Sequence, residues 1–351
     1  MKISVEWLRE FVDIDIPITE LATRLTDQGV SVEGIEQIGD DYVLDLEITP
    51  NRPDQLSVFG IAREIKAMLR KELKNNPFKM QPDVKMQACP ISVDIEDDAD
   101  CPRYAGCLVE NAKVGTSFDW MRKRLELSGI RSVNNIVDIT NYVLLEMGHP
   151  LHAFDANCIK GGRILVRRAR DVESITTLDG LKRKLNDTIL VIADEKKPIA
   201  LAGIMGGEAS EIKNQTTHIF IESAYFEPTL IRRGAKQLAI TSESSYRFER
   251  KADIQAPIPA LIRARDLVIK LCKGTLKGGI ADTYNRQNKD GKVSFTLEWL
   301  NGFLGSHFSR EEVIDTLTAI DLPITGDTIL DVHIPSFRRD IEIKEDIAEE
   351  V

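Results

Sequence analysis

The spacing of apolar residues near the start of the chain predicts a small module of helices and strands. One helical face is indicated by apolar residues three or four positions apart: Ile18, Leu21, Ala22 and Leu25. Gly29 then ends this helix. Residues 30–38 and 42–48 favour strands, and the short glycine-containing turn at 39–41 predicts a hairpin between them. A second helix is predicted over 58–74.

The same pattern returns at the end of the chain. Residues 45–65 align without a gap on residues 331–351, and a Glu-Trp-Leu tripeptide precedes each copy. Identical pairs include Asp45 with Asp331, Ile48 with Ile334, Arg52 with Arg338, Asp54 with Asp340, Ala62 with Ala348, and Glu64 with Glu350. A repeat at such long spacing is not a solenoid of short units. It indicates a duplicated module that brackets a different central segment.

The second copy has its own helix signals. Ser309 and Glu312 have the spacing of a capping box, which predicts a helix that continues through Leu317. Another helix begins near Lys344 and meets no glycine, proline or basic final turn before Val351. We interpret this last helix as truncated, in a chain cut inside a larger protein.

The central segment is mostly strand-like, with helical patterns between the strands. Strands are predicted over residues 91–95, 103–109, 162–167, 188–193 and 219–221. Helices are predicted over 118–127 and 256–272. This mixture predicts an α+β multidomain protein, in which two small helix-rich modules bracket a central α+β domain.

Composition limits the kind of protein. A net charge of −10 over 351 residues argues against a protein that coats nucleic acid through its overall charge. A polyanionic partner must therefore bind to a local basic surface. The five cysteines include no Cys-x-x-Cys pair, which is typical of thiols in a reducing compartment. No signal-peptide pattern occurs, and no apolar run approaches the roughly 18 residues of a membrane span. The sequence predicts a soluble, cytoplasmic protein with no membrane partner.

A dense cluster of polar residues stands between positions 134 and 155. In a loop, these groups could line a pocket, with His152 among them. The structural alternative is that Asn134, Asp138 and Asn141 cap backbone groups while His152 is a satisfied histidine. A metal site is disfavoured here, because Pro150 breaks any helix that would align the histidines and carboxylates.

Glu222 is a more specific candidate further along the chain. It follows three apolar residues of a predicted strand, where a carboxylate is costly unless it is paired or functional. The glycines at 203, 206 and 207 resemble a phosphate cradle, but the Lys-Ser or Lys-Thr of a P-loop does not follow them. In its simplest interpretation, the hydroxyl-rich segment 241–250 is a salt-bridged surface strand.

Four acidic residues form the last candidate site: Asp340, Asp346, Glu349 and Glu350. Three of them share one face of the predicted helix, and clustered carboxylates suit Mg²⁺. A solvated acidic helix start is the alternative. In the first copy of the module the matching positions are Asp54, Gly60, Arg63 and Glu64. The complete acidic set therefore occurs only in the second copy.

Several strings of the sequence together resemble the bacterial phenylalanine-tRNA ligase beta subunit. They occur in family order and cover nearly the whole chain: Thr49-Pro50-Asn51-Arg52-Pro53-Asp54, Val137-Asp138-Ile139-Thr140-Asn141-Tyr142, His152-Ala153-Phe154-Asp155, Gly203-Ile204-Met205-Gly206-Gly207-Glu208 and Tyr246-Arg247-Phe248-Glu249-Arg250. By this resemblance, residues 1–76 and 286–351 are paired modules of nucleic-acid-binding type. Residues 77–285 are the tRNA-editing domain.

The resemblance implies a function for the whole assembly. The beta subunit would join phenylalanine to tRNA-Phe together with a catalytic alpha subunit in an (αβ)₂ tetramer, with ATP bound only in the holoenzyme. Its editing reaction would hydrolyse tyrosine mistakenly attached to tRNA-Phe. A second site is needed because a hydrophobic synthetic pocket rejects an analogue with one extra hydroxyl by only about 10²-fold in a comparable case.

The resemblance also assigns roles to residues. Glu222 would bind the phenolic hydroxyl, and His152 would orient or activate the attacking water. Gly206, Ser242 and Ser244 would form the pocket wall. The family's Mg²⁺ ligands, shared with the alpha subunit, would be Asp340, Asp346, Glu349 and Glu350.

The sequence departs from the family pattern in three places. The family's tRNA-binding OB-fold insert is replaced by the short turn at 39–41. Ser242 stands where threonine is usual, and Ser244 where alanine is usual. Ser242 and Ser244 favour the alternative of a non-catalytic paralogue or scaffold that binds tRNA or the alpha subunit. A third alternative is a free-standing hydrolase of mischarged tRNA, and the missing OB-fold and the truncated last helix argue against it.

Overall fold

The computed structural model describes residues 1–79, 88–285 and 291–351. The chain divides into two compact units. One unit joins residues 3–75 to the C-terminal segment, and the other contains the residues between them. A large hydrophobic core lies in the central unit, and a smaller one lies within the C-terminal segment.

The N-terminal part of the first unit contains these helices and strands: β1 (Lys2–Ser4), α1 (Val5–Leu8), α2 (Ile18–Asp27), β2 (Ser31–Ile38), β3 (Asp41–Glu47) and α3 (Val58–Leu69). The strands form a sheet in the order β1-β3-β2, and the predicted hairpin joins β2 to β3. Ser4 and Ser57 cap α1 and α3 by accepting backbone hydrogen bonds. Helix α3 is shorter than predicted, because Arg70 adopts a left-handed conformation (φ 51°).

The central unit contains most of the strands. Its helices and strands are β4 (Ser92–Ile95), β5 (Arg103–Glu110), α4 (Asp119–Leu127), α5 (Asn135–Met147), β6 (Leu151–Asp155), β7 (Arg163–Arg168), β8 (Ser174–Thr176), β9 (Lys182–Lys184), β10 (Leu190–Ala193), β11 (Pro198–Leu201), β12 (Met205–Gly206), β13 (Ile219–Tyr225), α6 (Pro228–Leu238), α7 (Glu243–Phe248), α8 (Pro257–Cys272) and β14 (Thr275–Thr283). This is the mixed α+β composition that the sequence predicts.

Two sheets share the core of the central unit. One is antiparallel, in the order β14-β5-β13-β6. The other has the order β12-β11-β10-β7-β4, with only the β4–β7 pair parallel. Phe154 and Phe220 from the first sheet and Ile164 and Ile192 from the second belong to one buried cluster. Helices α5 and α8 pack on strands of the antiparallel sheet.

Two sequence interpretations were wrong about local structure. The polar cluster that follows Asn134 forms helix α5, and not a loop, because the Asn134 side chain caps the amides of Ile136 and Val137. The segment interpreted as a surface strand forms helix α7. There Ser242 and Ser245 make a reciprocal capping box that starts the helix.

The C-terminal segment repeats much of the N-terminal design. Its helices and strands are β15 (Gly291–Phe295), α9 (Leu297–Leu304), α10 (Arg310–Ala319), β16 (Ile324–Thr325), β17 (Leu330–Ile334) and α11 (Lys344–Glu350). The sheet order is β15-β17-β16. The predicted capping box of Ser309 and Glu312 begins α10. The aligned residues Asp45 and Asp331 lie in β3 and β17.

The thiols and the helices agree with the composition. All five cysteines are free, and Cys101, Cys107 and Cys272 are buried. Across residues 1–79, 88–285 and 291–351, every helix is too short or too polar to cross a bilayer.

Candidate functional site

A cavity of about 220 Å³ in the central unit brings together all five residues that the sequence places in one pocket: His152, Gly206, Glu222, Ser242 and Ser244. They come from four elements, β6, β12, β13 and the start of α7. Residues up to 92 positions apart in the chain therefore meet at one cavity, since the antiparallel sheet places β6 beside β13.

Glu222 is a buried carboxyl group in the lining of this cavity. It lies on β13, between Gly106 of β5 and His152 of β6 in the sheet register. The side chain is buried, and its Oε2 has no hydrogen-bond partner within the described residues. Burial raises the pKa of Glu222 to about 8, because a charged carboxylate is poorly solvated there. The carboxyl group is therefore mostly protonated at neutral pH.

His152 lies beside Gly206 at the wall of the cavity. A Cβ added to Gly206 would lie 2.6 Å from the His152 Nε2, so this wall tolerates no side chain unless the imidazole moves. The imidazole packs edge-on against Phe154, with ring centroids 4.5 Å apart. Burial lowers the pKa of His152 to about 4, so the ring is neutral near pH 7.

The two serines of the wall differ in their hydrogen bonds. The Ser242 hydroxyl donates to the Ile204 carbonyl at 2.8 Å and accepts from the Ser245 amide at 3.0 Å. Its role in the structure is to cap α7. The Ser244 hydroxyl makes no hydrogen bond to the described residues and is available to a ligand.

Sequence reasoning missed part of the pocket lining. Leu178, from the turn between β8 and β9, reaches the cavity because its amide donates to the Gly206 carbonyl at 3.1 Å. Only tertiary contact places it there, and its sequence surroundings gave no signal. Thr140 and Asn141 also line the cavity, from α5. Both belong to the polar cluster that the sequence indicates as possible pocket lining.

Other polar residues of the same sequence cluster have structural roles. Asp138 accepts hydrogen bonds from the hydroxyls of Ser117 and Ser132 and from the Val133 amide. His149 is buried in contact with Phe248, with ring centroids 6.1 Å apart. Burial lowers the pKa of His149 to about 3, so it stays neutral. Of the two histidines in the cluster, His152 lines the cavity.

The four acidic residues of the second candidate site line a cavity of about 650 Å³ in the first unit. Arg338 binds two of them: its Nη2 lies 2.7 Å from Asp340, and its Nη1 lies 3.2 Å from Glu350. Asp346 accepts hydrogen bonds from the amides of Glu342 and Ile343. In the described ranges, no group of three or more His, Cys, Asp or Glu is placed to hold a metal ion.

The first copy of the module repeats the arginine arrangement. Arg52 binds Asp54 at 3.0 Å and also pairs with Glu64, at the positions that align with Arg338, Asp340 and Glu350. All of these side chains are buried or nearly so. The first copy lacks acids at the positions that align with 346 and 349. The two carboxylates that both copies share are therefore accounted for by their pairing with the arginine. The geometry of this chain alone does not fit Mg²⁺.

Two protein-family profiles match the chain. The B3/4 domain matches residues 100–273, which contain the five-residue pocket. The tRNA synthetase B5 domain matches residues 293–351, which contain the acidic residues. Together they define a subunit of an aminoacyl-tRNA synthetase.

Similar proteins identify the family within this class. The phenylalanine-tRNA ligase beta subunit from Carboxydothermus hydrogenoformans is 41% identical over 92% of this chain, which covers 40% of that protein's length. The beta subunit from Geobacter metallireducens is 43% identical over 93% of this chain, which covers 41% of that protein's length. The relative from Geobacillus kaustophilus is 43% identical over 93% of the chain, with 41% of its length covered. The chain belongs to the phenylalanine-tRNA ligase beta-subunit family, as the sequence resemblance predicts. It spans about two fifths of the length of these relatives.

A solved structure supports the fold. The N-terminal fragment of the phenylalanyl-tRNA synthetase beta subunit from Pyrococcus horikoshii matches 100% of this chain with a TM-score of 0.54. The match covers 97% of that fragment, at 14% sequence identity. At this identity the likeness concerns the mixed α+β fold alone.

The raised pKa of Glu222 predicts a pH-dependent stability. Between pH 4.5, its ordinary pKa, and about pH 8, the folded protein binds one proton more than the unfolded chain. Stability is therefore lost as pH rises through this range, by up to about 1.4 kcal/mol per pH unit. We expect Glu222→Gln to become progressively more stable than the wild type between these limits, as measured by urea denaturation. A stability difference that is independent of pH would contradict this.

Proposed function

We propose that the cavity around Glu222 hydrolyses the ester of tyrosine mistakenly attached to tRNA-Phe. The observation that carries the proposal is a buried carboxyl group, without a partner for Oε2, in the lining of a small cavity. Leaving such a group without a hydrogen bond costs about 1–3 kcal/mol, which a ligand hydroxyl would recover. The site is thus suited to an apolar group that carries one hydroxyl.

The size of the cavity supports an aromatic ring. An engineered cavity of about 150 Å³ holds benzene, so 220 Å³ suits one substituted ring. Because Glu222 is mostly protonated, it can either donate a hydrogen bond to a phenol or accept one from it. Phenylalanine offers no hydroxyl and would leave the carboxyl without a partner. A site built to bind a substrate hydroxyl rejects the analogue that lacks it by roughly 10⁴- to 10⁵-fold.

We assign the attacking water to His152. A neutral imidazole accepts a hydrogen bond from water through its unprotonated nitrogen. Its pKa of about 4 makes it a weak base, so its role is chiefly to orient the water beside the ester. The unbonded Ser244 hydroxyl lies in the same wall and would contribute a second polar contact.

Our proposal extends to the assembly around this site. We propose that residues 1–76 and 286–351 are duplicated modules of nucleic-acid-binding type and that residues 77–285 form the editing domain. The complete cytoplasmic enzyme would attach phenylalanine to tRNA-Phe, with ATP bound in an (αβ)₂ assembly with the alpha subunit. Identity of over 40% to three beta subunits supports this assignment.

Deacylation assays test the editing function. We expect the αβ assembly to hydrolyse tyrosyl-tRNA-Phe at least 100-fold faster than phenylalanyl-tRNA-Phe. Glu222→Ala should remove most of this preference, because the phenol loses its buried partner. Glu222→Gln should keep part of it, since the amide still forms hydrogen bonds. Glu208→Gln changes an exposed carboxylate close to Gly206 and is the matched control.

The outcome separates editing from the scaffold alternative. Unchanged selectivity in Glu222→Ala would make Glu222 structural and remove the editing assignment. An intact protein that deacylates neither substrate would instead support a non-catalytic scaffold. Hydrolysis by the chain without the alpha subunit would favour a free-standing hydrolase.

We also propose that Mg²⁺ binds near the acidic residues only when the alpha subunit supplies further ligands. Arg338 binds Asp340 and Glu350, whereas Asp346 and Glu349 are the carboxylates that distinguish this copy of the module. Mg²⁺ is commonly held by one or two carboxylates together with waters and other oxygens. The cation would supply positive charge at the subunit interface.

Calorimetric titration of Mg²⁺ tests this site. In the αβ assembly, Asp346→Ala should weaken Mg²⁺ binding at least 10-fold, because a direct ligand is lost. Glu311→Gln is the control, because it removes an exposed carboxylate of α10 that does not line this cavity and should leave Mg²⁺ affinity unchanged. If the Asp346→Ala assembly bound Mg²⁺ as tightly as the wild type, the proposal would be contradicted. These carboxylates would then be a solvated helix face.

A further inference from the structure

Helix α6 and strand β9 form a surface whose charge is opposite to that of the whole chain. The sequence of α6, PTLIRRGAKQL, contains no acidic residue and exposes Arg232, Arg233 and Lys236. Strand β9 is Lys-Arg-Lys, with Lys182 and Lys184 exposed. In a chain with a net charge of −10, such a concentration of cations is unusual.

One contact joins these two elements, and a second joins α6 to the segment that follows β9. The Arg183 Nη1 donates to the Leu238 carbonyl at the end of α6, at 3.0 Å. The Thr188 hydroxyl donates to Gln237 at 2.7 Å. We call the exposed cations of the two elements the basic face: Lys182, Lys184, Arg232, Arg233 and Lys236.

The cations of the basic face are not engaged inside the protein. Arg183 pairs with Asp179, but the five side chains of the basic face make no salt bridge or hydrogen bond to the described residues. Other exposed cations of the chain do pair locally, such as Arg24 with Glu20 and Arg163 with Asp94. A solvated charged surface normally mixes both signs, and the basic face does not.

Both elements of the basic face are connected along the chain to residues that line the Glu222 cavity. The turn that leads into β9 carries Leu178, which lines the cavity and donates to the Gly206 carbonyl. Helix α6 ends at Leu238, four residues before Ser242, which also lines the cavity. The cations of the basic face therefore belong to segments that lead into the cavity lining.

We propose that the basic face binds the phosphates of the tRNA acceptor strand while its aminoacylated 3′ end occupies the cavity. This rests on the proposed editing function and adds a surface to it. Phosphate contacts fix the position and direction of a strand without reading its sequence. The cavity then reads the amino acid, and the basic face supplies affinity that a ring-sized cavity cannot. It compensates locally for the negative charge of the whole chain.

Binding of uncharged tRNA-Phe tests the surface independently of hydrolysis. Affinity of the chain for labelled transcript would be measured by fluorescence anisotropy over a series of salt concentrations. We expect K182A/K184A/R232A/R233A to weaken binding at least 10-fold at low salt. Each phosphate contact contributes about 0.7 to 0.9 to the logarithmic salt slope, so the loss of four should reduce its magnitude by about three. The substitutions are exposed, so the thermal midpoint should not change.

Two controls make the result specific. K196A/K197A removes two exposed lysines from the turn between β10 and β11, after the end of β10 that lies away from Gln237. It should change affinity less than twofold. Glu222→Gln should bind uncharged tRNA as the wild type does. Failure of the editing function would appear as lost tyrosine selectivity with binding intact.

Equal effects of the four-residue variant and the lysine control would overturn the proposal, because binding would then depend on total charge alone. The absence of measurable binding by the wild-type chain at low salt would overturn it as well.

Discussion

The burial of the Glu222 carboxyl on an interior strand of an antiparallel sheet is the constraint on which the site depends. One carboxyl oxygen has no partner, and burial raises the pKa of the group to about 8. A carboxyl group in such a position costs stability, which a protein retains where function requires it. The surrounding features fit this: Gly206 leaves the wall open, and His152 is neutral beside it. These features are the basis of our proposal that the pocket takes a ligand hydroxyl and not a charged group.

The two units differ in how their charged groups are paired. In the central unit, one oxygen of the buried Glu222 carboxyl has no partner among the described residues, and the five cations of the basic face form no ion pair with those residues. In the first unit, Arg52 and Arg338 each neutralise an aspartate and a glutamate at aligned positions of the two sequence copies. Both copies therefore have the same ion-pair arrangement, and only the second copy has acids at 346 and 349.

The sequence predicted elements whose signals are local. The hairpin at 39–41 and the capping box of Ser309 agree with the structure. Helix α5 was missed because its apolar and polar residues alternate over a short stretch, and the Asn134 cap decides the outcome. Leu178 reaches the cavity through a tertiary hydrogen bond that no local pattern encodes. The meeting of five distant residues at one cavity was inferred from the family, since spacing alone could not place them together.

The most direct test of the account is a crystal structure of the chain with a non-hydrolysable analogue in which tyrosine is joined to the 3′ position of adenosine through an amide. The account predicts that the phenolic oxygen lies about 2.5–3.0 Å from a carboxyl oxygen of Glu222. The amide carbonyl should lie on the His152 side of the cavity. A ligand bound with its phenol in solvent, or outside the cavity around Glu222, would contradict it.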